Sequence, residues 1–250
     1  MKRIGIGLVV FCAVLAACGN EGNSTKRKKR ADRNDRPGKT TATAEARATT
    51  PDVAGSYTIT GTNQNGSPYH GTLDVKAQGD VLQFHWVTGP TEYDGIGVAF
   101  DRTIGVAFAV GLDGKGCRVA HYKSTRTGLS GRWGEWGVNQ SGTETATRTS
   151  GPGLAGGYDV TGTLPNGKTY RGALKVVAEG AGFSFDWDGS EASQGFGLKL
   201  GDYVSVGIGT DSCGFVSYEV GPDGRLAGHW STFKARAVGT EIAKKRPEKQ

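Results

Sequence analysis

Ala54-Gly55-Ser56-Tyr57-Thr58-Ile59-Thr60-Gly61-Thr62 recurs as Ala155-Gly156-Gly157-Tyr158-Asp159-Val160-Thr161-Gly162-Thr163. Within the first copy Tyr57 and Ile59 point one way and Thr58 and Thr60 the other, as in a strand with one buried and one wet face. The correspondence continues in register. Asn65-Gly66, Tyr69, Gly71, Leu73, Val75, Phe84 and Trp86 return as Asn166-Gly167, Tyr170, Gly172, Leu174, Val176, Phe185 and Trp187. Gly95-Ile96-Gly97 answers to Gly195-Phe196-Gly197, and Cys117 and Tyr122 to Cys213 and Tyr218. Leu129-Ser130-Gly131-Arg132-Trp133 matches Leu226-Ala227-Gly228-His229-Trp230, and Gly142-Thr143-Glu144 matches Gly239-Thr240-Glu241. A register held this long with only small gaps marks a duplication.

Turn punctuation divides the first unit into eight strands, at 57–62, 69–77, 81–87, 95–100, 103–110, 118–124, 128–134 and 142–148. Glycine, 42 of 250 residues, argues for many short strands joined by tight turns, and no amphipathic helix is evident downstream of Cys18. Asn65-Gly66 and Asn166-Gly167 read as type I′ hairpin turns, whose two central residues both need positive φ. Sequential hairpins of similar length suit an up-and-down meander that closes on itself and removes its edges. The expected fold class is all-β: two tandem eight-stranded antiparallel up-and-down barrels, one over 53–149 and one over 154–243, with a basic disordered tail at 244–250. A twisted open sheet or sandwich is the alternative.

Gly55-Ser56-Tyr57 and Gly156-Gly157-Tyr158 resemble the first-strand motif of calycin barrels, the avidin and lipocalin kind. A broader set, Gly-x-Tyr, Asn-Gly, Tyr-x-Gly, a mid-unit Trp, Leu-x-Gly-x-Trp and Gly-Thr-Glu, covers nearly all of the chain beyond Asp52. It is similar to a group of small bacterial secreted or lipid-anchored repeats often labelled fibronectin-binding-like. The resemblance implies the barrel and a place in the envelope, and little about a ligand.

The N-terminus addresses location. Met1-Lys2-Arg3 precedes an apolar run that ends in Leu15-Ala16-Ala17-Cys18, a segment too short to remain as a spanning helix. These residues resemble the signal of bacterial lipoproteins, which implies cleavage of a signal peptide at 1–17 and acylation of Cys18, several chains giving stable anchoring. Gly19 rather than Asp after that cysteine implies delivery to the outer membrane. Residues 18–52 are expected to be a lipid anchor and disordered basic stalk, polar and without aromatics.

The formal charge of +6 belongs to this leader and stalk. Up to Asp52 there are 11 Lys and Arg against 5 Asp and Glu; beyond it there are 19 against 19. The run Lys26-Arg27-Lys28-Lys29-Arg30 beside a membrane is attracted to anionic headgroups, by about 1 kcal/mol per cation near the surface. A solvated spacer explains it equally well, and nucleic acid is an unsuitable partner in that compartment.

Candidate chemistry is sparse. His70, His85, His121 and His229 have Arg171, Asp186, Ser217 and Arg132 as counterparts, so no histidine belongs to a repeated site, and all four read as solvent-facing. No metal spacing or cofactor motif occurs, nor a convincing nucleophile with a base. Glu144 and Glu241 are equivalent, and one carboxylate per unit suits hydrogen bonding to nearby backbone better than acid–base chemistry. The expectation is a protein that is not an enzyme. Cys117 and Cys213 occupy matching positions, and a disulfide stapling the units or two buried thiols both fit. Trp86, Tyr122, Trp133, Trp187, Tyr218 and Trp230 are core residues or ligand contacts, according to whether the barrels are filled or hollow.

Three functions fit: an adhesin-type protein whose paired modules bind a matrix protein or envelope macromolecule; a carrier of a small apolar ligand; and an inhibitor of an envelope-attacking enzyme. The carrier needs a real cavity.

Overall fold

The structure, a computed structural model, describes residues 51–110, 116–189, 192–233 and 237–247. The signal peptide, Cys18, the basic run at 26–30 and nearly all of the stalk lie outside these residues.

Repeat 1 supplies β1 (Gly55–Thr62), β2 (Pro68–Gln78), β3 (Val81–Thr88), β4 (Thr91–Phe100), β5 (Thr103–Val110), β6 (Arg118–Ser124), β7 (Gly128–Glu135) and β8 (Gly142–Ser150). Repeat 2 supplies β9 (Gly156–Thr163), β10 (Thr169–Glu179), β11 (Gly182–Gly189), β12 (Ser193–Leu200), β13 (Tyr203–Ile208), β14 (Cys213–Val220), β15 (Leu226–Thr232) and β16 (Gly239–Lys245). All neighbouring strands pair antiparallel and close two eight-stranded barrels. The alternation seen in sequence survives: Tyr57, Ile59, Leu73, Val75, Phe84 and Trp86 fill one interior, and Tyr158, Val160, Leu174, Val176, Phe185 and Trp187 the other.

The division of strands between barrels differs from one repeat per barrel. One barrel runs β1 to β5 and is completed by β14, β15 and β16; the other is β6 to β13 in unbroken order. The first is therefore split, with the second inserted into it. Exchange costs little because the repeats are equivalent. Across β5 and β14 Ile104 faces Tyr218, and across β13 and β6 Val204 faces Tyr122, so each strand meets the counterpart of its own successor. This is the logic of domain swapping within one chain.

The exchange occurs where the barrels touch. Ile96, Val98, Ala107, Ala109 and Val119 are buried on the outward side of their strands, packed with Val81, Trp136 and Phe233. Phe196, Leu198 and Phe215 form a neighbouring cluster. Burial on both faces explains the nearly continuous apolar runs at 96–99 and 104–109. Cys117 and Cys213, whose α-carbons are 5.8 Å apart, form a disulfide across the two points where the chain passes between barrels. It closes a loop that contains the whole inserted barrel.

Two local expectations are corrected. Gly66 and Gly167 have φ of 83° and 81°, but Asn65 and Asn166 do not have positive φ. The Asn65 and Asn166 carboxamides instead accept from the backbone N–H two residues on, and the hairpins are longer loops in which only glycine is left-handed. The tail begins later than 244: β16 runs through Lys245, and Arg246 N–H donates to the Ser56 carbonyl. At the end where β1 and β9 begin, Tyr57 and Tyr158 each donate to the carbonyl four residues earlier, at 2.6 Å, drawing Val53 and Leu154 into the interiors and closing that end.

Candidate functional site

Each barrel carries one buried carboxylate set in a row that crosses five strands. In the inserted barrel the cross-strand partners run Tyr122, Gly131, Glu144, Gly162, Tyr170. In the split barrel they run Tyr218, Gly228, Glu241, Gly61, Tyr69. Strands lie about 4.8 Å apart, so a tyrosine two strands away reaches the carboxylate only by lying across the strand between. Glycine at that crossing makes this feasible. A β-carbon at Gly61 or Gly228 would stand 2.5 Å from the ring of Tyr69 or Tyr218, and one at Gly131 would stand 2.8 Å from Tyr122.

The tyrosines converge on the carboxylate, and a tryptophan joins them from β3 or β11. Glu144 accepts from Tyr122 and Tyr170 at 2.7 Å each and from the Trp187 indole at 3.1 Å. Glu241 accepts from Tyr218, from Tyr69 at 2.8 Å and from Trp86 at 3.1 Å. The glutamates thus bond to side chains, not to neighbouring backbone as the sequence suggested; the register that brings the tyrosines across glycine is a property of the closed sheet. Because of the exchange, Glu144 belongs to repeat 1 while Tyr170 and Trp187 come from repeat 2. Burial raises the Glu241 carboxyl above its usual range, opposed by the bonds from Tyr218, Tyr69 and Trp86. Burial beside these carboxylates also pushes Tyr122 and Tyr218 well above the ordinary phenol range.

The shared cluster sits in different surroundings. In the split barrel it forms the wall of a cavity of about 430 Å³, lined by Tyr69, Trp86, Tyr93, Phe108, Trp230 and Glu241 among others, with Asn63, Pro68, His70 and Thr88 toward the loops. The corresponding space in the inserted barrel is about 30 Å³. The two interiors differ at one position close to the cluster. Positions 118 and 214 are equivalent and point inward, alternating with inward Ala120 and Tyr122 or Val216 and Tyr218. Arg118 lines the inserted barrel's small void with Tyr122, Trp133, Glu144 and Trp187. At Gly214 no side chain enters, and the Phe108 ring lies over the bare backbone.

Trp86, Tyr122, Trp133, Trp187 and Tyr218 are all buried, and Trp230 is half-buried on the cavity wall. Trp133 and Trp230 lie over Gly142 and Gly239, and neither indole N–H has a hydrogen-bond partner among the described residues. The histidines do not share one environment. His70 and His229 are exposed, and His85 is partly exposed with Asp94 at 2.9 Å. His121, expected in solvent, is 1% exposed because its face of β6 abuts the split barrel. Its ring bonds Thr103 and Ser205 at 2.8 and 2.9 Å and stacks on Tyr203. Burial pushes its pKa down to about 3. Tyr93 and Phe108 are cavity residues that sequence reasoning did not single out as ligand contacts. Their signal is the contrast between repeats, with Tyr93 facing Ser193 and Phe108 facing Ile208 in alignment.

Comparison with protein-family models, with curated proteins and with solved structures finds no match.

Proposed function

We propose that this chain is a non-catalytic binding protein, held at a bacterial envelope through lipid on Cys18, whose split barrel takes up a small molecule. The supporting observation is the 430 Å³ cavity, which lies in the size range of small-ligand sites and has an aromatic wall with one convergent polar group. Of the functions open to the sequence, this favours the carrier over an adhesin or an enzyme inhibitor. The inserted barrel, with its interior filled, serves as the structural partner, so the stoichiometry is one ligand per chain.

The test is thermal unfolding of the full chain against a library of ring-bearing small molecules, with native mass spectrometry of the hits. A ligand at a hundredfold excess over its dissociation constant stabilises by about 2.7 kcal/mol. For a unit of this size that is a rise in Tm of about 5–10 °C. A library without such a ligand, or hits that bind two per chain, would refute the reading.

A further inference from the structure

We infer that the ligand of the split barrel is an organic cation, an ammonium or amidinium head on an apolar or aromatic body, with its charge directed at Glu241. The inference rests on the receptor reading above and deepens it.

The first observation is the charge of the cavity. Among the described residues its lining contains one carboxylate, Glu241, and no lysine or arginine; His70 is exposed at the loops. The groups that bond Glu241 are the neutral donors Tyr69, Tyr218 and Trp86. A carboxylate offers about four acceptor positions, so one remains after these three. No cationic side chain among the described lining residues compensates the charge, and an anionic ligand would be repelled at short range. The second observation is the wall. Trp86, Tyr93, Phe108 and Trp230 surround the same volume, and aromatic faces attract organic cations electrostatically.

The third observation is internal to the chain. The inserted barrel repeats the carboxylate, both tyrosines and the tryptophan, and there the side chain that enters the cluster is Arg118. Arg118 shares that small void with Tyr122 and Glu144. The inserted barrel therefore carries a guanidinium side chain of its own on the void beside the shared Tyr-Gly-Glu-Gly-Tyr row. The split barrel has glycine at the equivalent position, covered by the Phe108 ring, and no cationic side chain among the described residues of its cavity, which leaves a cation to be supplied from outside.

The test compares three probes that differ only in the head group: 3-phenylpropylamine, 3-phenylpropanol and 3-phenylpropanoate. Isothermal titration of the full chain with each should give saturable binding of the amine, about tenfold tighter than the alcohol from the added cation interactions, and the weakest binding for the propanoate. Glu241→Gln should bring the amine down to the affinity of the alcohol. Gly214→Arg, which introduces the inserted barrel's own cation, should abolish binding of the amine. An alcohol that binds as tightly as the amine overturns the cation assignment while leaving the receptor reading intact. Amine binding that both substitutions leave unchanged overturns the location at Glu241. If the wild-type chain binds none of the three, the cation assignment fails, and the receptor reading is then judged by the library screen alone. Because the amine-to-alcohol ratio is measured on unmodified protein, the result does not depend on either variant folding.

Discussion

Tyr122→Phe removes a single hydroxyl from the inserted barrel and leaves the ring over Gly131 in place. The hydroxyl donates to Glu144 at 2.7 Å, and both residues are buried, at 1% and 5% exposure. A hydrogen bond to a charged group contributes about 1.5–3 kcal/mol, and its loss leaves the carboxylate with Tyr170 and Trp187 only. A loss of about 2 kcal/mol follows, or a fall in Tm of about 4–8 °C for a unit of this size. Tyr203→Phe is the matched control. Its hydroxyl also donates to a carboxylate at 2.7 Å, but Asp101 is 45% exposed and is also bonded by Lys123, so the loss should stay within about 0.5 kcal/mol. Guanidinium unfolding of the oxidised proteins, followed by circular dichroism, compares the two. Equal midpoints for the two variants would refute the claim that the buried carboxylate rows hold the barrels together.

Three further outcomes follow from the same geometry. A fragment of residues 116–210, with Cys117→Ser, contains all eight strands of the inserted barrel and should unfold cooperatively as a monomer; an aggregated or non-cooperative fragment in light scattering and circular dichroism would contradict the exchange. Cys117→Ser with Cys213→Ser opens a 96-residue loop and should lower stability by roughly 4–5 kcal/mol on the chain-entropy argument, measured by urea unfolding, with an unchanged midpoint as the contrary result. His121 has its folded-state pKa lowered from 6.5 to about 3, so the native state binds fewer protons in that interval and stability falls as pH drops through it. The loss is on the order of 4 kcal/mol, and His121→Gln should flatten the pH dependence between 6.5 and 3.

Alternation and duplication made the barrels legible, since Tyr57, Ile59, Leu73, Val75, Phe84 and Trp86 occupy inward positions that the period of two assigns. The exchange was not legible for a physical reason. Pairing β5 with β6 or with β14 places equivalent residues opposite Ile104, so local pattern does not choose between them. The doubly buried runs in β4 and β5 were the visible trace of the interface that does choose. The same interface buried His121, whose pattern on β6 alone reads as solvent-facing. All members of the carboxylate rows were present in the repeat, but their meeting depends on register, and glycine was read as a turn residue. Gly61, Gly131, Gly162 and Gly228 are extended and act through the absence of a side chain under a ring. The contrast of Arg118 with Gly214 was equally available in alignment, and it acquires meaning only when both positions are known to face inward.

The most direct measurement is a ¹⁵N–¹H spectrum of the indole N–H groups of the chain's five tryptophans, recorded while 3-phenylpropylamine is added. With one open barrel, the resonances of Trp86 and Trp230 move and saturate together, while those of Trp133 and Trp187, their counterparts in the filled barrel, stay in place. Equal movement of both pairs, or movement confined to Trp133 and Trp187, would contradict the assignment of the site to the split barrel.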